Sequence, residues 1–312
     1  MTTGLDAHSI SLSRDGRKLS YSVFNFTANV YSIEIPETGP ISVSKAVPLT
    51  SGNQIVEAID VSYDGQWLVY CSDLQGNSDI YKMPITGGEA VQLTSHPSGN
   101  FSGGLAPDGE HIIFHSFRSG NRDIYCMTKD GGSIQQLTHD PSNELAPQWS
   151  ADGSSVYFIS DRTGRYELYV MPKKEQGWGK PEQLTSIGAN FFSPISNSIV
   201  YISPESLEIV SLDDKQTRTL VPFQNTPSFP TPKFPVYSTD GKTVYYIAQD
   251  REGNRSIWSI PEEGGEPELK VVADDPHVLM GLFGFDTDGE RFYFGVRVNE
   301  SNVWVMDLIS QE

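Results

Sequence analysis

The feature that most constrains this chain is a short phrase that it keeps repeating. Gln148–Gly164 reads QWSADGSSVYFISDRTG, and Asp60–Gly76 reads DVSYDGQWLVYCSDLQG. Asp-Gly pairs fall at Asp15-Gly16, Asp64-Gly65, Asp108-Gly109, Asp152-Gly153, Asp240-Gly241 and Asp288-Gly289. They recur at a period of about 44 residues, the spacing of four-stranded propeller blades. One gap is twice as long, and FFSPISNSIVYIS at 191–203 fills it as a copy that has lost its Asp-Gly. Seven copies result.

Each copy parses alike. A first strand ends just before the Asp-Gly turn, where both residues tolerate positive φ. The second strand (WLVYCS, HIIFHS, SVYFIS, SIVYIS, TVYYIA, RFYFGV) is apolar at consecutive positions. That pattern marks a strand buried on both faces, as stacked blades require. A Gly-containing turn follows (SDLQGNSD, SFRSGNRD, SDRTGRYE, QDREGNRS), then a third strand such as DIYKMPI or ELYVMPK. A short fourth strand ends in Leu-Thr: AVPLT, AVQLT, IQQLT, PEQLT. No segment shows a helical period.

The expectation is an all-β, seven-bladed β-propeller of four-stranded antiparallel blades. It forms a single domain over 1–312, with blades starting near 6, 55, 99, 143, 189, 232 and 279. Only six fourth strands can be counted, and the seventh copy ends at NVWVMDLISQE. The last blade is therefore expected to lack its outer strand, or to be closed by residues outside this chain, as in a piece of a longer protein.

The blade WSADGSSVYFISDRTGRYELYVMP, followed by a Leu-Thr strand, resembles the repeat of the TolB-type propeller family. That repeat also resembles the propellers of tricorn-like and prolyl-oligopeptidase-like peptidases. HSISLSRDGRKLSYSVFNFTANVYSIEI and RFYFGVRVNESNVWVMDL are similar to propellers appended to bacterial sensor-type proteins. The resemblance implies a sensing or binding module in a periplasmic or other extracytoplasmic place. The type protein of the family carries an additional N-terminal domain and a six-bladed ring, and seven copies depart from it.

Composition narrows the partners. Forty acidic and 22 basic residues leave a net charge of −18, which argues against binding a phosphate backbone. No apolar run approaches the roughly 18 residues of a membrane span. Two cysteines, Cys71 and Cys126, cannot build a disulfide framework and read as buried thiols. No GxSxG, HExxH, EF-hand loop or phosphate loop occurs, and the six histidines are scattered without ligand-like spacing. No catalytic residue, metal or cofactor is assigned. His115, at a strand-two position, reads as a packed core histidine.

The loops that lead into first strands all open on one face, around the central channel. They supply His8, Glu57, Asn100, Asn143, Glu144, Asn190, Lys233 and His277. These form a polar ring for a protein, a peptide or a small polar ligand, or else are ordinary solvated loops. QNTPSFPTPKFP at 224–235 offers Phe229 and Phe234 as a rim over the channel, or as rings tucked onto the blades. Trp178 is expected to pack, and Asp73 and Asp161 to cap turns. The shrunken turn of SIVYISPESLEIVSL should lower one sector of the rim. The reading is a non-catalytic binding propeller and a monomer. The alternatives are a polysaccharide lyase or glycosidase, or the gating propeller of a serine peptidase.

Overall fold

In the computed structural model, the described residues are 7–223, 231–249, 254–275 and 278–308. They are all-β apart from one 3-10 turn at Val43–Lys45. Their strands form six sheets, so seven sequence copies share six blades.

Five blades follow the chain in order. Blade I is Val56–Val61, Trp67–Ser72, Asp79–Pro84 and Val91–Gln92. Blades II to V open with Asn100–Leu105, Glu144–Trp149, Asn190–Ile195 and Thr231–Tyr237. Blade VI is built from both ends of the chain. Val278–Thr287 and the first half of Arg291–Asp307 pair with the second half of Lys18–Glu34, and Val47–Pro48 closes the outer edge. The first copy thus lends its third and fourth strands to the first two of the seventh.

The remaining halves of copies one and seven extend the same sheet beyond the blade, as an outlying part. There Ala7–Leu12 pairs with Lys18–Val23, and Val23 pairs onward with Asn302. Lys18–Glu34 and Arg291–Asp307 run 17 residues each without a turn. Their middles, FNFTAN and RVNESN, lack the glycine that turns the chain in other copies. Gly76 and Gly164 sit at φ 88° and 89° in those turns. With neither such a glycine nor the Ser-Pro-Glu-Ser turn that the fifth copy makes at 203–206, the strand continues, and the closing sheet locks the ring from both ends of the chain.

The core lies between blades. Val69, Ile80 and Leu93 of blade I pack on Leu105, Ile112 and Phe114 of blade II. Val30 and Tyr293 of blade VI pack on Val56 and Leu68 of blade I, so closure is as apolar as any other junction. The consecutive apolar residues of Trp67–Ser72 are buried on both faces.

The repeated polar letters hold each blade together. In blade I, Asp79 accepts from Thr94 Oγ1 at 2.8 Å, Asn100 Nδ2 at 2.9 Å and Gln92 Nε2 at 3.1 Å. Thr94 Oγ1 in turn accepts from Ile80 N at 2.9 Å. Asp123 with Thr138, and Glu167 with Thr185, repeat the clasp. The Leu-Thr signature therefore pairs an apolar anchor with a clasp to a buried carboxylate. In the Asp-Gly turns, Ser62 donates to Asp64 and accepts from Trp67 N. Trp178 packs 5.9 Å from Trp149, and Asp73 and Asp161 accept from the backbone N–H of Ile55 and Asn143.

Candidate functional site

The six first strands surround a channel of about 890 Å³. Each carries a β-bulge at about the same height. Ala58, Ser102, Ala146 and Phe234 take positive φ there, at 36°, 52°, 51° and 49°. A bulge leaves one residue out of the ladder and re-aims its neighbours. Here the wall turns outward and becomes a mouth.

Below the bulges, one register position per blade forms a waist: Asp60, Gly104, Gln148, Ser193, Val236 and Asp286. All six line the channel. Several reach across to the next blade. Asp286 Oδ2 accepts from Val61 N at 2.7 Å, Asp60 Oδ2 from Leu105 N at 3.2 Å, and Ser193 Oγ from Tyr237 N at 3.2 Å. Gln148 Nε2 donates to the Phe192 carbonyl at 2.9 Å. A Cβ at Gly104 would meet Asp60 Oδ1 at 3.4 Å, so the glycine gives that carboxyl its room.

Asp60 and Asp286 are neighbours on adjacent blades, and both resist ionisation. Burial, then the charge of Asp286, holds the Asp60 carboxyl well above the usual range, against the Leu105 N–H. Burial pushes Asp286 up to about 7, against the N–H groups of Val61 and Thr287, with the Asp288 charge adding to the rise. A carboxyl pair of this kind loses its protons stepwise.

At the mouth stand Glu57, Phe101, His115, Arg122, Leu145 and Phe191. Burial, then the charge of Asp73, raises Glu57. His115 is buried, stacks on Phe101 with ring centres 5.5 Å apart, and accepts from Ala146 N at 3.4 Å. Burial, then the Arg122 charge, pushes it down to about 3, so its imidazole is neutral. The Arg122 guanidinium lies 4.7 Å over the Phe117 ring. At the opposite end, Tyr63 reaches from blade I to donate to the Trp149 carbonyl of blade III at 3.3 Å, and bars part of the exit.

Of the residues named from sequence, Glu57 and Phe234 line the channel. Phe234 is buried, with its ring 4.1 Å from that of Phe191. Asn100 lies fully buried in the Asp79 clasp, and Asn143 bonds Asp161. Glu144 is also fully buried, paired with Arg162 at 2.8 Å. Asn190 and Lys233 line a side pocket of about 280 Å³, which borders Ile202 before the shrunken turn. Lys233 Nζ donates to Gln249 at 3.3 Å. His277 and Phe229 lie outside the described residues, and for His8 only the strand position is described.

Sequence reading passed over Asp60, Asp286 and Arg122. The signal for the first two was an extra acid just ahead of the turn, in DVSYDG and FDTDG. Cys71 donates to the Glu57 carbonyl at 3.1 Å, and burial pushes its thiol up to about 12. Among the described residues, no three His, Cys, Asp or Glu side chains gather as a metal centre would need. Nor is any helix among those residues long and apolar enough to cross a membrane.

Comparison with known proteins agrees with this architecture. A family model described as the TolB beta propeller domain matches residues 7–134 and 97–232. No curated protein matches the chain in sequence. Among solved structures, the putative TolB from Agrobacterium tumefaciens superposes with a TM-score of 0.65 at 18% identity, covering 87% of this chain and 98% of that one. A chain of a nidogen/laminin complex gives 0.60 at 12%, covering 79% and 97%. An oligogalacturonate lyase in complex with manganese gives 0.51 at 13%, covering 84% and 77%. At such identities the likeness speaks to the fold alone.

Proposed function

Because the chain belongs to the TolB β-propeller domain family, we propose that it is a non-catalytic binding module whose ligand, a peptide or a small polar molecule, enters the channel at the bulged mouth. The observation that carries this reading is the channel itself. It encloses about 890 Å³, opens at one end past aromatic rings, and is partly barred at the other by Tyr63. That volume suits a short peptide or a ligand of similar size. The bulges also leave backbone groups outside the ladders at the mouth, and an extended peptide can bond them.

The waist carboxyls each spend an oxygen on a backbone N–H of the next blade. That use is structural, and it sets the electrostatic character of the channel floor. An enzyme acting on polysaccharide remains the second reading. One observation favours it: two buried carboxyls stand side by side at the waist, and burial pushes Asp286 up to about 7, which suits general acid–base chemistry.

Panning a random heptapeptide library on the intact chain tests the first reading. A Ser193→Trp variant, which fills the waist, serves as the control. Sequences enriched on the native chain and lost on the plugged one support it. No enrichment, or equal enrichment on both, overturns it. Turnover of an oligosaccharide panel, abolished by Asp286→Asn, would support the second.

A further inference from the structure

Arg122 is placed unlike the other half-buried arginines of the blades. Arg118 donates to Asn100, Arg162 to Glu144, Arg255 to the Gly281 carbonyl, and Arg291 to Ser32 and Glu34. The guanidinium of Arg122 forms no ion pair or side-chain hydrogen bond among the described residues, and its Nε is buried without any partner. Its backbone is tied down, with the N–H donating to Asn143 at 3.5 Å. Its side chain lines the channel and lies over Phe117.

A buried donor on a permanent cation costs free energy when it has no acceptor. A binding site is where such a cost persists, because the ligand brings the acceptor. We infer that Arg122 is the anchor for a carboxylate group on the channel ligand, an inference that rests on the binding reading above.

The surroundings select the anion. A guanidinium fork matches a planar carboxylate with two parallel hydrogen bonds. Neutral His115 adds no second cation, so among the described residues the mouth offers one positive charge and suits a monoanion. Glu57 at the rim and the Asp60–Asp286 pair below offer no cation to hold a second negative charge, so a dianion such as phosphate fits less well. Phe101, Phe117 and Phe191 set apolar surface beside the cation. The ligand is therefore a carboxylate carried on an apolar or aromatic stem, as at the C-terminus or an acidic side chain of an apolar peptide.

Two small probes separate this inference from the reading beneath it. 3-Phenylpropionate carries the carboxylate and the stem, and 3-phenylpropanamide carries the stem alone. Each is titrated against the intact chain and against Arg122→Gln, following amide resonances of Phe101, Leu145 and Ala146. The expected result is a saturable shift with the carboxylate that weakens at least 10-fold in Arg122→Gln, and a weaker response to the amide. Equal shifts from both probes, unchanged by Arg122→Gln, would overturn the carboxylate anchor and leave the binding channel standing. No shift at the mouth from either probe would count against both. A folding control also discriminates. Because the Arg122 guanidinium bonds no acceptor and gives up only its contact with the Phe117 ring, Arg122→Gln should leave the midpoint of urea unfolding nearly unchanged or raise it. A lowered midpoint would mark Arg122 as a structural residue and overturn the inference.

Discussion

Asp286→Asn should make this protein more stable, and increasingly so as the pH rises. The native carboxyl titrates near 7, against 3.8 for a free aspartate. Between those values the folded chain binds a proton that the unfolded chain has released. Stability therefore falls as pH rises from about 4 to about 7, and levels off above. At about 1.4 kcal/mol per pH unit, the full penalty is about 4 kcal/mol. About 2–3 kcal/mol of it develops between pH 5 and pH 8. Asparagine keeps an oxygen for the Val61 N–H, now held at 2.7 Å, gives up the bond that Oδ1 accepts from Thr287 N at 2.8 Å, which costs the same at every pH, and cannot ionise. It also relieves Asp60, whose carboxyl is raised in part by the Asp286 charge. Urea unfolding of both proteins at pH 5, 6, 7 and 8 reads the difference directly, since titrating groups other than the coupled Asp60 cancel. The gain of the variant should grow by about 2–3 kcal/mol across that range. An offset that does not change with pH, or a variant less stable at pH 8, would refute the account of the waist.

Three further outcomes follow from the same geometry. Thr138→Val removes a donor to the buried Asp123 and the acceptor for Ile124 N, and should cost about 2–3 kcal/mol by denaturant unfolding. Neither cysteine should react with a thiol reagent at pH 8 in the folded state, since burial pushes Cys71 up to about 12 and Cys126 to about 11. Both should react on unfolding. Trp304 is 56% exposed on the outlying part of the closing sheet, on the same face as Ile10 and Tyr21. Trp304→Ser should shift the unfolding free energy by less than about 0.5 kcal/mol and remove the component of tryptophan fluorescence most accessible to iodide.

Much of the fold was legible because the repeat encodes both kinds of bond that hold a blade. Consecutive apolar residues in strand two mark burial on both faces, and Leu-Thr marks an anchor beside a clasp. The way the ends combine was harder to see. Copies one and seven each carry a full set of strand patterns, which suggests two blades. The deciding signal was a local absence, the missing glycine in FNFTAN and RVNESN. The expected three-stranded last blade is instead four-stranded, completed by Ala28–Glu34 and Val47–Pro48. The site was less legible still. Loop position placed Glu57 at the mouth, and the same reasoning named Asn100 and Glu144, whose side chains turn into clasps between strands. Which way a loop residue turns depends on cross-blade partners, and one copy read alone does not contain them. The waist residues sit inside strands, where an acid at a channel-facing position looks like any other alternation.

The central claim is that a ligand occupies the channel from the bulged mouth. A crystal structure of the chain with a peptide recovered by panning tests it most directly. The account predicts the peptide threaded past Phe101 and Phe191, with a carboxylate on Arg122 and its deepest part near Asp60 and Asp286. A peptide bound on the outer edges of the blades, with the channel holding only water, would contradict it.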